Sequence, residues 1–146
     1  MEGEANKVEL AIFDYQYTTG GGKNSHTYRQ SVLCFRSPKL YLPDFNLRPE
    51  GVFHKIGGAF GYQDIDFETH PLFSKSYLLR GDNEAAIRGL FNNELLNFIE
   101  SQQKISIEGS GDQLVFYRHK KRVKPEEVEK FMEEGFKIFE LFLRST

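Results

Sequence analysis

The stretch PEEVEKFMEEGFKIFELFL, residues 125–143, most constrains what this chain can fold into. Val128, Phe131, Met132, Phe139 and Phe142 recur at spacings of three, four and seven, so a helix carries them as one apolar stripe. Pro125 suits the first helical turn, where its missing N–H would be unpaired in any case. Glu126 and Glu127 then sit at the positive end of the helix dipole. A stripe this rich in phenylalanine must be covered, and the preceding sequence supplies strands to cover it.

Val8, Leu10 and Ile12 alternate, and Phe13, Tyr15 and Tyr17 alternate on the opposite parity. That shift predicts a strand that is bulged or buried on both faces. TYRQSVLCF, ending at Phe35, reads as its antiparallel partner. Residues 37–60 are irregular, with a short strand at KLYLP. DIDFE, from Asp64 to Glu68, alternates strictly and reads as a strand, as does KSYLLR. GDNEAAIRGLFNNELLNFIES is helical, capped by Asp82 or Asn83, with Asn92 and Asn93 able to kink or re-cap it. KISIEG and QLVFYRH flank GSGD, a hairpin signal. Strands, helix, hairpin and helix in that order predict an α+β two-layer sandwich, a mainly antiparallel sheet with two helices packed on one face. The expectation is one domain over residues 1–146, with 1–7 as a disordered lead. A chain of 146 residues with 14 Phe and 7 Tyr can bury a sizeable core without disulfides or metal.

Enzyme chemistry finds little foothold. TTGGGKNS, residues 18–25, has the vocabulary of a phosphate loop, but Tyr17 stands where the first glycine belongs and Asn24 where the hydroxyl belongs. A strand, not a helix, is expected to follow it. DIDFE resembles the acidic signature of family 18 chitinases, with Gly61 in place of its first aspartate. That chemistry sits on a TIM barrel of at least about 200 residues, which this chain cannot build. As a metal site, Asp64, Asp66, Glu68 and His70 would share one strand face about 6.6–6.8 Å apart, too far for neighbours to share an ion. The expectation is therefore an acidic, solvated face with Ile65 and Phe67 turned inward, and neither metal nor cofactor. Cys34, the single cysteine, reads as a buried inert thiol. A formal charge of −2 is too near neutral to require nucleic acid as a partner. No apolar run approaches the roughly 20 residues of a membrane span, and Met1–Lys7 lacks a signal-peptide pattern.

The most concentrated surface chemistry is RHKKRVK, residues 118–124, where Arg118, Lys120, Lys121, Arg122 and Lys124 place five cations in seven residues. Such a run draws a chain to anionic lipid at about 1 kcal/mol per Lys or Arg near the surface. FGYQDIDFETHPLFSKSYLLRGDNEAAIRGLFNNELLNFIE and KRVKPEEVEKFMEEG resemble an uncharacterised bacterial family known only as a domain of unknown function. The resemblance implies the soluble portion of a membrane-associated protein. It carries no catalytic or binding residues. Together these readings predict a non-catalytic domain, cytoplasmic and at the inner face of the membrane, that binds a partner protein or an anionic membrane surface through the basic run. The alternative is a small hydrolase or ligand-binding enzyme built on Asp64, Asp66, Glu68 and His70.

Overall fold

Alternation along the strands sorts the side chains into two layers. The structure, a computed structural model, describes residues 8–20, 25–50, 64–102, 104–118 and 121–146. In chain order the elements are β1 (Glu9–Thr19), β2 (His26–Arg36), β3 (Leu42–Pro49), α1 (Pro71–Ser76), β4 (Tyr77–Arg80), α2 (Glu84–Leu90), α3 (Asn93–Glu100), β5 (Ser106–Gly111), β6 (Gln113–Tyr117) and α4 (Val128–Ser145). A 3-10 turn, Pro125–Glu127, leads into α4. The strands form a six-stranded sheet in the order β1-β2-β6-β5-β3-β4, antiparallel throughout. The fold is α+β, as expected, with four helices among the described residues where two were expected.

Leu33, Phe35, Leu114, Phe116, Ile107 and Leu47 from the sheet meet Phe131, Ile138, Phe139 and Phe142 of α4 in one core, fully or almost fully buried. Phe142 stacks on Phe45 at 5.5 Å and meets Phe91 edge-on at 5.5 Å, while Phe139 stacks on Phe35 at 5.1 Å. Gly135 is what lets α4 lie this close to the sheet. A Cβ there would stand 2.5 Å from Leu33 Cδ1 and 3.2 Å from Phe35 Cζ.

The long helix expected over 81–101 is two helices. Asn83 caps α2 by accepting from Ala86 N at 3.1 Å, and Asn92 caps α3 by accepting from Leu95 N at 2.9 Å. Two asparagines at N-cap positions thus start two helices, because each satisfies an amide that the preceding turn leaves unpaired. In the β5–β6 hairpin the turn is Gly111–Asp112, and Gly111 takes φ +57° there.

Three strand readings need correction. β1 runs in unbroken register with β2, from Glu9 opposite Arg36 to Thr19 opposite His26, so it has no bulge. Nor is it buried on both faces. It is an edge strand, with Ile12 42% and Phe13 48% exposed on opposite faces. DIDFE is not a strand. Residues 64–67 join no strand ladder and attach to β4 by two bonds, Ile65 N to Leu79 O and Leu79 N to Asp64 Oδ1, both 2.8 Å. KLYLP also gives way to a longer strand, since β3 begins only at Leu42 and continues to Pro49. The glycine-rich loop leaves β1 through Gly20 at φ +78° and is followed by strand β2, while residues 21–24 lie outside the described residues, as do 1–7.

Candidate functional site

The basic run begins where β6 ends, and the sheet itself fixes its path. Lys121 N donates to Arg118 O at 3.1 Å, and Ser31 N of β2 donates to Lys121 O at 3.0 Å. Ser31 Oγ accepts from Val123 N at 2.8 Å and donates to Asp14 Oδ1 of β1 at 2.8 Å. Arg122 Nε then reaches Asp14 Oδ2 at 2.9 Å. The bond from Ser31, joined by Arg122, holds the Asp14 carboxyl below its ordinary range against the opposing effect of desolvation. A segment that carries only charge in the sequence is therefore fastened to the β1–β2 ribbon at three places.

The four described cations of the run separate into two groups. Arg118 donates through Nη1 to Glu134 of α4 at 2.9 Å, and its guanidinium lies 5.5 Å from the Phe116 ring centre. With Arg122 on Asp14, both arginines brace the connection. Lys121 and Lys124 are exposed and make no ion pair among the described residues. Lys120 lies outside the described residues. On the ribbon, Ile12, 42% exposed, shares a face of β1 with the Asp14 that holds Arg122, while Phe13 and Tyr15, 48% and 50% exposed, lie on the opposite face.

The acidic segment is arranged differently from its pattern. His70 is buried and bound on both ring nitrogens, Nδ1 to Thr69 Oγ1 and Nε2 to Asn97 Oδ1, each at 2.8 Å. Asp66 and Glu68 are exposed, and Arg88 of α2 donates to the Asp66 carbonyl at 2.7 Å. Ile65 is buried and Phe67 half-buried, as the alternation implies. The shared strand face that would have aligned the four polar side chains does not form. Among the described residues no group of three or more His, Cys, Asp or Glu side chains is placed to hold a metal ion.

Asp64 is the perturbed group here. Desolvation, reinforced by the Asp66 and Glu50 carboxylates, pushes its pKa up to about 6, against the bond from Leu79 N. A carboxyl that holds its proton more tightly folded than unfolded loses stability as pH rises from about 4 to about 6. The full shift corresponds to roughly 3 kcal/mol, and partial exposure reduces that to about 1 kcal/mol. Asp64→Asn keeps an oxygen for Leu79 N. It is expected to raise the melting temperature at pH 7.5, to change little at pH 4, and to flatten the stability profile between them. Urea titrations at both pH values check this. Equal effects at both would mean that the carboxyl is not strained.

A second polar constellation, not foreseen from the sequence, lies on the sheet face opposite α4. Glu108 Oε2 accepts from Arg48 Nη2 at 3.1 Å and from Tyr117 Oη at 2.8 Å, and Arg48 Nε donates to Asn46 Oδ1 at 2.8 Å. Burial, and then the Glu108 carboxylate, push the Tyr117 phenol above its ordinary range. Next to it, Asp44, Asn46, Arg80, Asp82, Glu108 and Gln113 line a cavity of about 420 Å³. The signal was the parity of Glu108 within SIEG, opposite to Ile107. The partners came from strands that the sequence could not place side by side. Cys34 lies on the same face, half-buried, and burial pushes its thiol up, as for an unreactive cysteine.

No family model matches this chain, and no curated protein or solved structure matches it. Among the described residues no helix is long and apolar enough to cross a membrane.

Proposed function

We propose that this chain is a non-catalytic domain that docks on an anionic membrane surface through the connection between β6 and α4, as part of a membrane-associated bacterial protein of the kind its sequence resembles. The observation that carries the reading is the Arg122–Asp14 ion pair at 2.9 Å. It ties the basic connection to the edge strand that exposes Ile12, Phe13 and Tyr15. Cations beside an exposed aliphatic side chain are the chemistry of a surface that meets headgroups and the acyl boundary together. Lys121 and Lys124, and Lys120 between the braces, supply the attraction, while Arg118 and Arg122 hold the platform. Ile12, on the same face of β1 as Asp14, adds the apolar contact.

Co-sedimentation with vesicles tests this. The chain is expected to bind phosphatidylserine vesicles at 0.1 M salt and phosphatidylcholine vesicles not at all. Binding should fall toward 1 M salt, as the Debye length shrinks from about 10 Å to about 3 Å. Replacing Lys120, Lys121 and Lys124 by glutamine removes about 1 kcal/mol per charge, enough to abolish a weak association while leaving the melting temperature nearly unchanged. No binding at low salt, or binding that survives the triple substitution, overturns the proposal.

A further inference from the structure

The sheet closes one of its edges and leaves the other open. At one end, β4 is only four residues long, and Asp64 and Ile65 cover it through their two bonds with Leu79. At the other end, β1 is eleven residues long, and no described strand pairs with its outer side. Strand edges are ordinarily blunted by proline, lysine, a bulge or a short run. The stretch Glu9–Thr19 holds no proline or lysine and keeps unbroken register with β2. Asp14 is the one charged residue between Leu10 and Thr18, and Arg122 of the same chain already matches it. Every side chain from Ala11 to Gln16 is exposed, with Ile12 on one face and Phe13 and Tyr15 on the other.

The bonds of β2 show which backbone groups are open. Ser31 N donates to Lys121 O and Ser37 N to Asp112 O, each at 3.0 Å, so odd-numbered residues of β2 direct their amides toward β6. Successive strand residues bond to opposite sides, so the even-numbered ones address β1. Those lie opposite odd-numbered residues of β1, Cys34 against Ala11 and Val32 against Phe13. The N–H and C=O groups of Leu10, Ile12, Asp14, Gln16 and Thr18 are therefore the ones aimed away from the sheet. One added antiparallel strand would satisfy them in a single ladder.

We infer that a second copy of this chain supplies that strand, β1 against β1, about a two-fold axis at Phe13. A two-fold interface asks only that the strand complement itself, and with Asp14 matched internally the middle of β1 holds nothing that repels its own copy. Symmetry leaves few registers. Centring on Asp14 sets two carboxylates directly opposite each other, which destabilises a sheet. Centring on Tyr15 sets Leu10 opposite Gly20, whose φ of +78° ends the extended run. Centring on Phe13 sets Asp14 opposite Ile12, Gln16 opposite Leu10 and Thr18 opposite Val8, and the outward groups bond across the axis. Phe13 then meets its own copy, and Ala11 meets Tyr15 on either side of it, so the aromatic surface of β1 gains a cross-strand cover. The two sheets join into one with both α4 helices on the same face. This goes beyond the membrane reading and holds without it.

Sedimentation equilibrium of the full chain tests the inference. A concentration-dependent monomer–dimer equilibrium is expected. Phe13→Lys sets two ammonium groups opposite each other at the axis and is expected to weaken association about tenfold or more. Gln16→Pro removes an outward N–H, leaves the bonds to β2 in place, and is expected to weaken association in the same way. Both sites are exposed, so the melting temperature of the monomer should change little. Oxidation in a Cys34→Ser background then reads the register. Antiparallel partners that share no bond have Cα atoms about 4.5 Å apart, within the range that a disulfide spans. Phe13→Cys is expected to cross-link into dimers, and Tyr15→Cys, which falls opposite Ala11, is not. A chain that stays monomeric at millimolar concentration overturns the inference, as does a dimer indifferent to both substitutions or equal cross-linking at the two positions. Vesicle binding through Lys121 and Lys124 would stand in each of those cases, so the two proposals fail separately.

Discussion

Phe142→Ala is expected to lower the unfolding free energy by about 3–5 kcal/mol, the range for deleting a fully buried phenylalanine. Phe142 has no exposed surface, and it is clasped between Phe45 of β3 and Phe91 just after α2. Those rings belong to different layers, so neither can collapse into the space without moving its own element. The cavity term therefore adds to the transfer term. Small domains hold only about 5–15 kcal/mol in all, so the variant would be partly unfolded at 37 °C. Guanidinium denaturation of both chains measures the difference. A loss below about 1 kcal/mol would mean that the C-terminal part of α4 is not part of the core.

That helix was the most legible element in the sequence, because a stripe of period 3.6 has few other uses. Phe131, Phe139 and Phe142 are buried as the spacing requires, and Val128 and Met132 lie at the half-buried margin. The division between α2 and α3 was legible too, since Asn92 is a capping side chain in the middle of an otherwise helical run. Legibility failed where one pattern serves two structures. Alternation in DIDFE is satisfied by any extended segment with one face inward. Here the Asp64 carboxylate takes the amide of Leu79 that a strand's carbonyl would have taken. The parity shift in β1 signals residues on both faces, but it does not say whether those faces are covered. Helix α1 has only six residues, too short for periodicity, and Pro71 at its first turn was its one sign.

The candidate site was half legible. A run of five cations is visible in any reading, but what each cation does depends on residues far away. Arg118 is taken by Glu134, sixteen positions on, and Arg122 by Asp14, one hundred and eight positions back. The pairing of β2 with β6 creates the second contact, and no local pattern announces that strand order.

The same blindness to distance makes two nearby glycines behave oppositely when replaced by alanine. Gly89 lies in α2 with nothing within 4 Å of the position its Cβ would take. Gly89→Ala is therefore expected to stabilise the chain by up to about 1 kcal/mol, the difference in helix propensity. Gly81, at the end of β4, faces the reverse situation. A Cβ there would stand 2.5 Å from the backbone oxygen of Asp44 and would press on the Ile87 side chain, which is fully buried. A flexible side-chain tip could yield. The Asp44 carbonyl cannot yield without moving β3, whose Asn46 pairs with Arg80 beside it. Overpacking of this kind costs about 1–3 kcal/mol, and a rigid backbone neighbour puts Gly81→Ala at the upper end, about 3 kcal/mol. Urea denaturation of both variants against the parent chain reads the two signs directly. If Gly81→Ala proves neutral, β3 and β4 have more freedom to part than their ladder implies, and the cavity beside Asp44 and Arg80 is softer than its walls suggest.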